Sequence, residues 1–396
     1  MRVLLIDVNY KTGSTGKIVE SLYKHVRSQG DIAAVCYGRG EKISSEYVFK
    51  FEPSLEMYLH AFLSRVTGIT GCYSLIGTIR LILFIEYFNP DVVHIHELHA
   101  YFVNIPMLCR YLKFKKIKTL WTFHCEFMYT GKCGNTLDCN RWLTGCGHCP
   151  RLGSYVSSWF FDFTHFMWLQ KKKIFSDWNK LTIVCPSQWL ALRCSRSLVS
   201  NVPIKVINNG VDNSVFYKRD CCHLRKKLDL KDEKIVLCVA PNLMSDHKGG
   251  KLALQFATRF QGENVKFIFV GLTTKDLDTF NFPKNVLPIL KTDSQDQLAE
   301  FYSLSDIFIS FSVSENYPTT CLEAVACGSI VCGFDVGGTK ETFPSNPNNF
   351  VSYGDLDALE NVVRIYLNGD SDCIEEHLDC SEQTMVSDYY NLYQNL

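Results

Sequence analysis

No surplus of charge of either sign runs through this sequence: 41 Lys and Arg offset 41 Asp and Glu over 396 residues. Without a global field to hold a polyanion, nucleic-acid binding would require a local basic stripe. None stands out, so no nucleic-acid partner is expected. Also missing is an unbroken apolar stretch of the ~20 residues that a membrane span needs. The best candidate, residues 73–88, is interrupted by Arg80 and Glu86. The opening Met1-Arg2-Val3-Leu4-Leu5-Ile6-Asp7 reads as a strand and is too short for the apolar core of a secretory signal. A cytoplasmic chain is therefore expected. Low-complexity tracts and short-period repeats are absent as well, which excludes solenoids and disordered polymers.

Cysteine, by contrast, is plentiful at 18 residues, though far below the density of a short disulfide scaffold. In a reducing compartment, scattered cysteines in apolar runs, such as Cys185, Cys238 and Cys332, read as small core residues, whereas clustered ones read as metal ligands or redox groups.

At ~100–200 residues per domain the length calls for two domains. Continuous apolar runs at 3–6, 33–36, 92–95 and 119–123 alternate with helix-length segments, and the plan repeats at 182–185, 205–207, 235–239, 266–270, 307–311 and 330–333. Runs without polar alternation mark parallel strands covered on both faces, which requires βα crossovers. The chain is thus expected to be α/β and built twice, with a boundary near 180 after a long aromatic helical region at 159–178. The expected division is 1–180, 181–380 and a closing amphipathic helix at 381–396, where Met385, Tyr389, Leu392 and Leu396 fall near helical spacing.

The strongest local signal is Ser314-Glu315-Asn316-Tyr317-Pro318-Thr319-Thr320-Cys321-Leu322-Glu323. Glu315 is expected in a loop after a strand and Glu323 on the following helix, at the carboxyl end of a parallel sheet where open α/β folds bind ligands. Pro318 suits the first turn of that helix, and Thr319 and Thr320 leave backbone N–H groups near its positive end, a ready phosphate site. Two surface acids on a solvated helix is the plainer alternative. Lys248-Gly249, at the start of a helix after the strand at 235–239, would set a point charge where a leaving diphosphate gathers negative charge.

These residues resemble the E-x7-E element of the retaining glycosyltransferases of the GT-B fold, family 4. Further motifs of that family follow in order: Ser187-Gln188-Trp189, Asn208-Asn209-Gly210-Val211-Asp212 with Phe216, Lys248-Gly249, Gly271, and the stretch 302–312. The resemblance implies that Glu315 faces the donor sugar and Glu323 holds the nucleotide ribose. It implies a donor site drawn from Gly16, Asn242, His247, Lys248, Gly249, Glu315, Asn316, Tyr317, Pro318, Thr319 and Glu323. Many relatives carry an arginine several residues before the lysine; Ala240-Pro241-Asn242-Leu243 has none, leaving His247 as a second donor.

In the first half, the loop from Asp7 to Lys17 resembles a P-loop only superficially, since Lys11 and Ile18 stand where a Walker motif needs Gly and Ser/Thr. In the resembling family its glycines let the backbone approach donor phosphate or acceptor. His94 and His96 share one face of a strand end and admit a metal-pair reading, yet the family shows a similar His-x-His there with no catalytic metal; Asn104 also fits its related members. Trp121-Thr122-Phe123-His124 matches the motif at which the family places an active-site histidine. Relatives commonly follow it with Asp; here Cys125 and then Glu126 stand instead.

Cys133, Cys139, Cys146 and Cys149 form C-x5-C-x6-C-x2-C. Structural zinc, free or redox-active thiols and an iron–sulfur cluster all fit this spacing. Similar cysteine patterns recur in family members of bacterial polysaccharide assembly, of the colanic acid and O-antigen type. Residues 157–173 join aromatics to a basic run, suiting either an anionic lipid surface or a packed interdomain helix.

The resemblance implies two Rossmann-like domains facing a cleft, with the C-terminal helix closing onto the first. It implies a retaining, hexosyltransferase-type enzyme without a catalytic metal, moving a sugar from a nucleotide diphosphate sugar to a lipid-linked oligosaccharide at the inner face of the membrane. His124, Glu315 and Lys248 are its expected catalytic residues. A GT-B sugar-nucleotide epimerase or phosphorylase, or a catalytically silent sugar-binding protein, are the alternatives.

Overall fold

The computed structural model describes residues 1–369 and 380–396. The chain divides into two compact units, Met1–Asn208 with Met385–Leu396, and Asn209–Thr384. The first carries strands β1 (Arg2–Asp7), β2 (Ile32–Tyr37), β3 (Val48–Lys50), β4 (Val92–Ile95), β5 (Lys118–Thr122), β6 (Leu181–Cys185) and β7 (Ile204–Val206). They form one parallel sheet in the order β3-β2-β1-β4-β5-β6-β7. Its helices are α1 (Gly13–Ser28), α2 (Ser54–Thr67), α3 (Leu75–Phe88), α4 (Ile105–Lys115), α5 (Thr164–Phe175) and α6 (Gln188–Ser195).

Both faces of this sheet are buried, as the continuous apolar runs require. In β1, Leu4 and Ile6 pack with Leu81 and Ile85 of α3 and Leu108 of α4. Val3 and Leu5 face the other way, onto Ile18, Val19 and Leu22 of α1. That second face is completed by the C-terminal helix, Glu382–Gln394, through Met385, Val386, Tyr389 and Tyr393. The amphipathic spacing read from the sequence corresponds to this packing.

The second unit has β8 (Lys234–Val239), β9 (Val265–Leu272), β10 (Val286–Leu290), β11 (Ile307–Ser310), β12 (Ile330–Phe334) and β13 (Phe350–Val351), ordered β10-β9-β8-β11-β12-β13 and parallel throughout. Alternate residues of β8 again feed opposite cores: Ile235 and Leu237 one, Val236 and Cys238 the other. Cys185, Cys238 and Cys332 are fully buried strand residues, in keeping with their reading as core.

The structure moves the boundary expected near 180. The run at 182–185 does not open the second unit; it is β6, paired with β5 through Thr119↔Leu181 and Trp121↔Ile183. The run at 205–207 contributes β7, paired with β6. Pairing is decided by partners far away in sequence, so a fresh strand looks alike whether it continues a sheet or starts one. The Ser187-Gln188-Trp189 motif consequently lies in the first unit, where the Ser187 hydroxyl caps α6 by accepting from Leu190 N at 3.1 Å. The aromatic region at 159–178 is helical only over Thr164–Phe175. Among the described residues no helix is long and apolar enough to cross a membrane.

Candidate active site

Each sheet reverses strand order once beside its first strand, at β1/β4 and at β8/β11. Loops leaving the carboxyl ends there form the crevice in which open α/β sheets hold ligands.

In the second unit, the loop after β8 delivers Lys248 and the loop after β11 delivers Glu315, and the two meet with Nζ to Oε1 at 2.6 Å. They border a small hollow with Pro241, Leu243, Ser310 and Thr320. Two backbone contacts lock the loops together. Val313 N donates to His247 O at 3.0 Å. Gly249, with φ +71°, passes so close to the other loop that a Cβ would lie 2.1 Å from Phe311 O, which only glycine tolerates. Glu315 is itself fixed from behind: Gly338 N donates to its carbonyl at 3.1 Å, and a Cβ on Gly337 would overlap that oxygen at 1.7 Å.

The helix that follows spans Thr319–Ala326, with Pro318 at its N-cap and no side chain capping it. Its first backbone N–H groups, at Thr319 and Thr320, therefore lie at an uncapped positive end. Glu323 sits one turn on, its Oε2 accepting from Tyr302 OH at 3.0 Å. Asn316 is partly buried beside Glu315. Tyr317 differs from expectation: its ring is buried in the core and its carbonyl accepts from Asn209 Nδ2 at 3.1 Å. It shapes the loop from within. Asn242, at φ 54°, and His247 are exposed on the β8 loop. Although the residue as a whole is exposed, partial desolvation of its ring and then the neighbouring Lys248 charge hold the His247 pKa below its ordinary value.

In the first unit the switch point gathers Asp7, His96, Glu97 and His124. Asp7 ends β1, and its Oδ1 accepts from Glu97 N at 3.0 Å; burial lifts its pKa to about 7. His124, two residues beyond β5, stacks on His96 with Nε2 to Nδ1 at 3.0 Å. Burial holds the His124 pKa down at about 4, so this ring is neutral near pH 7. His94 is not half of a metal pair. Its two nitrogens are taken by Tyr393 OH at 2.6 Å and Thr122 Oγ1 at 2.8 Å, so it is a satisfied structural histidine. Gly16 lies in the first turn of α1, its carbonyl accepting from Lys11 N at 3.0 Å. Asn104 caps α4 through Met107 N at 3.0 Å.

The site also contains residues to which sequence reasoning assigned no role. Cys125, in the place of the usual Asp, points its sulfur at the Glu97 carboxylate at 3.5 Å, and Glu97 pairs with His99. Burial alone would raise the Glu97 pKa, but the His99 charge outweighs it and brings it to about 2. The carboxylate beside His124 and Cys125 is therefore Glu97, which comes from another strand end. Glu126 turns away into a buried pair with Arg193 at 2.7 Å. The positions of Asp7 and Glu97 at the ends of neighbouring strands were the signal that could have found them. Cys133, Cys139, Cys146 and Cys149 lie on the irregular segment between β5 and α5, all with free thiols and partly buried.

Two parallel Rossmann-like units with this arrangement of loops define a glycosyltransferase of the GT-B fold. The chain belongs to glycosyltransferase family 4: the model described as "Glycosyltransferase Family 4" matches residues 17–215, and that described as "Glycosyl transferases group 1" matches residues 223–384. Over 420 aligned residues it is 23% identical to an Escherichia coli (strain K12) protein named as a colanic acid biosynthesis glycosyl transferase, WcaC, with 100% of each chain covered. Among solved structures it is similar to sucrose-phosphate synthase of Thermosynechococcus elongatus, with TM-score 0.70, 15% identity and 100% and 98% of the two chains covered. It is also similar to Anabaena HepE in complex with UDP-glucose, with TM-score 0.67, 14% identity and both chains covered in full.

Proposed function

We propose that this protein transfers a sugar from a nucleotide diphosphate sugar to a lipid-linked oligosaccharide, with retention at the anomeric carbon, in bacterial surface polysaccharide synthesis. The observation that carries the reading is the Lys248–Glu315 pair at the β8/β11 switch point, beside the uncapped start of the helix Thr319–Ala326. A cation, a row of free N–H donors and a carboxylate are the groups that a diphosphate sugar needs: the first two for the phosphates, the last for sugar hydroxyls. As the glycosidic bond to the diphosphate breaks, negative charge grows on the leaving oxygen, where Lys248 and the helix end stabilise it without reorganising. Glu323 holds the ribose and Glu315 orients the sugar. The full-length similarity to WcaC supports a polysaccharide substrate, and the likeness to a UDP-glucose complex supports a nucleotide diphosphate sugar as donor.

For His124 the same reading assigns a neutral hydrogen-bond partner of the donor sugar or the acceptor hydroxyl. With its pKa at about 4, it does not titrate between pH 6 and 8. His124→Ala is expected to lower kcat/KM about tenfold, the upper end for one neutral hydrogen bond at ~0.5–1.5 kcal/mol. The factor should be equal at pH 6 and pH 8; a loss that grows toward either end would mark a titrating acid or base instead.

A lipid-linked acceptor fits an apolar surface of the first unit. Trp159, Phe160, Phe161, Phe163 and Phe166 are exposed, as are Tyr58, Leu59 and Phe62 of α2, with Phe62 and Trp159 in edge contact at 6.2 Å. Lys173, on the same helix as Phe166, lines a cavity of about 180 Å³ with Arg110 and Lys113. Exposed aromatics on a unit that also exposes cations suit an anionic bilayer. The protein is expected to sediment with phosphatidylglycerol vesicles and not with phosphatidylcholine ones, and a Trp159→Ser/Phe160→Ser double variant to remain in the supernatant. Equal sedimentation of wild type and variant would remove the surface from the reading.

A panel of nucleotide sugars with lipid-linked acceptors tests the proposal as a whole. One donor should be transferred, or slowly hydrolysed, with an α donor giving an α product. Neither transfer nor hydrolysis, together with no nucleotide binding by calorimetry, rejects it; a β product rejects retention.

A further inference from the structure

Three side chains of zinc-ligand chemistry converge at the carboxyl ends of two neighbouring strands in the first unit. Glu97 and His99 follow β4, and Cys125 follows β5, which pairs with β4 through His94↔Leu120 and Ile95↔Trp121. A carboxylate oxygen, a ring nitrogen and the sulfur all lie within 4.8 Å of one another. Among the described residues no other three acidic, histidine or cysteine side chains are gathered so closely. Cys133, Cys139, Cys146 and Cys149, whose spacing admits a zinc set, form no such group: the irregular segment that carries them does not hold three of their sulfurs together.

The separations within the trio are those of a coordination sphere. Cys125 Sγ stands 3.5 Å from Glu97 Oε1 and 3.6 Å from Oε2. A tetrahedral ion at ~2.3 Å from sulfur and ~2.1 Å from oxygen sets those two ligands about 3.6 Å apart. His99 completes the triangle, with its Nε2 on Glu97 Oε2 and its ring hydrogen-bonded to the Cys125 thiol. Each ligand is also held from behind. His99 Nδ1 meets Tyr155 OH at 3.2 Å, and the ring lies edge-on to Tyr155 and Phe127 with centroids 5.7 and 5.6 Å away, which leaves Nε2 facing inward. Glu97 N donates to Asp7 Oδ1 at 3.0 Å, and Phe127 N donates to the Cys125 sulfur. Outer partners of this kind fix the orientation of metal ligands. The His99 side chain is 23% exposed, so an ion reaches the trio from solvent.

We propose that Glu97, His99 and Cys125 bind one zinc ion, with water in the fourth position. Thiolate and imidazole donors select zinc, whereas magnesium and calcium take oxygen ligands. Three protein ligands and one open position make an accessible zinc site rather than a closed structural one. A bare ion pair accounts for Glu97 and His99, but not for a thiol set against both carboxylate oxygens. Seating the ion shifts the His99 ring off the carboxylate to the ~3.4 Å nitrogen–oxygen edge of a tetrahedral site, a small movement for a side chain that reaches solvent. None of the three ligands belongs to the residues assigned to the donor, so the zinc site stands apart from the transfer reading.

The full chain, stripped of metal, is to be titrated with zinc in competition with a chelating dye, and separately with cobalt and with magnesium. The expected result is uptake of one zinc per chain, a thiolate-to-cobalt absorption band, no response to magnesium, and protection of Cys125 from alkylation by zinc. Cys125→Ala and Glu97→Gln should each lose this binding, while Cys222→Ala, which removes an exposed thiol of the other unit, should bind as wild type does. Tyr155→Phe should weaken zinc about tenfold, the lower end for a partner behind a ligand, since Tyr155 is 56% exposed. Zinc should raise the melting temperature of the wild type and leave that of Cys125→Ala unchanged; equal melting of the two metal-free chains shows that the variant is folded. A chain that takes up no zinc overturns the proposal, as does uptake that both Cys125→Ala and Glu97→Gln leave intact. Metal uptake is read without any activity, so these outcomes are distinct from those of the donor screen.

Discussion

Replacement of Lys248 by alanine is expected to lower kcat by about 10²–10³-fold, the ~2.7–4 kcal/mol typical of removing one preorganised group that meets charge developing in a transition state. The donor KM should change far less, because the charge on the leaving diphosphate grows mainly as the bond breaks. An alternative source for any loss is the ion pair itself. Lys248 and Glu315 are 24% and 18% exposed, and partly solvated pairs contribute at most about 1 kcal/mol to stability. The melting temperature should therefore stay close to wild type while turnover collapses. Glu323→Ala makes the contrast: its carboxylate is assigned to the ribose, so donor KM should rise with kcat largely kept. Wild-type kinetics in both variants would remove the site assignment.

The second large effect is expected on stability. Glu126 is 2% exposed and accepts from Arg193 Nε at 2.7 Å, Tyr129 OH at 2.7 Å and Thr136 N at 2.6 Å. Glu126→Ala removes the anion and leaves Arg193 facing a buried void. Breaking one half of a buried pair costs about 3–5 kcal/mol; with Arg193 still 20% exposed, the lower end applies. About 3 kcal/mol corresponds to roughly 6–12 °C in Tm for a unit of this size. Glu126→Gln, which keeps one acceptor oxygen for the Tyr129 hydroxyl while its amide nitrogen replaces the oxygen that accepts from Thr136 N, should recover part of the loss and retain kcat. A folded Glu126→Gln variant without turnover would instead give Glu126 the role of the acid that Cys125 displaces.

These two residues mark how far the sequence could be read. Lys248, Glu315 and Glu323 were legible because each follows a strand at short range: the strand ends, the loop turns, and the side chain must emerge at the carboxyl edge of the sheet. Glu126 was not legible. It stands next to Cys125 in the chain, where an acid is expected, yet its carboxylate belongs to the packing of α6. Glu97, 28 residues before Cys125, is the acid that reaches the thiol. The same holds for the histidines: one strand motif presents His94 and His96 alike, and only the third partners, Tyr393 and Thr122 for one, His124 for the other, separate structural from site residue.

By itself the sequence determined the layered architecture, since continuous apolar strands between crossovers can be satisfied only inside parallel sheets with helices on both faces. It also pointed to the β8/β11 loops, where short stretches bring Lys248 and Glu315 together. Tertiary structure alone decided where one unit ends, through the pairing of β6 onto β5 and of β7 onto β6, and which buried groups act together. Partnerships such as Asp7 with Glu97, or Lys171 with the carbonyls of Phe127 and Thr130, join residues tens of positions apart. No local spacing constrains them, because they arise only when separate strand ends are brought side by side.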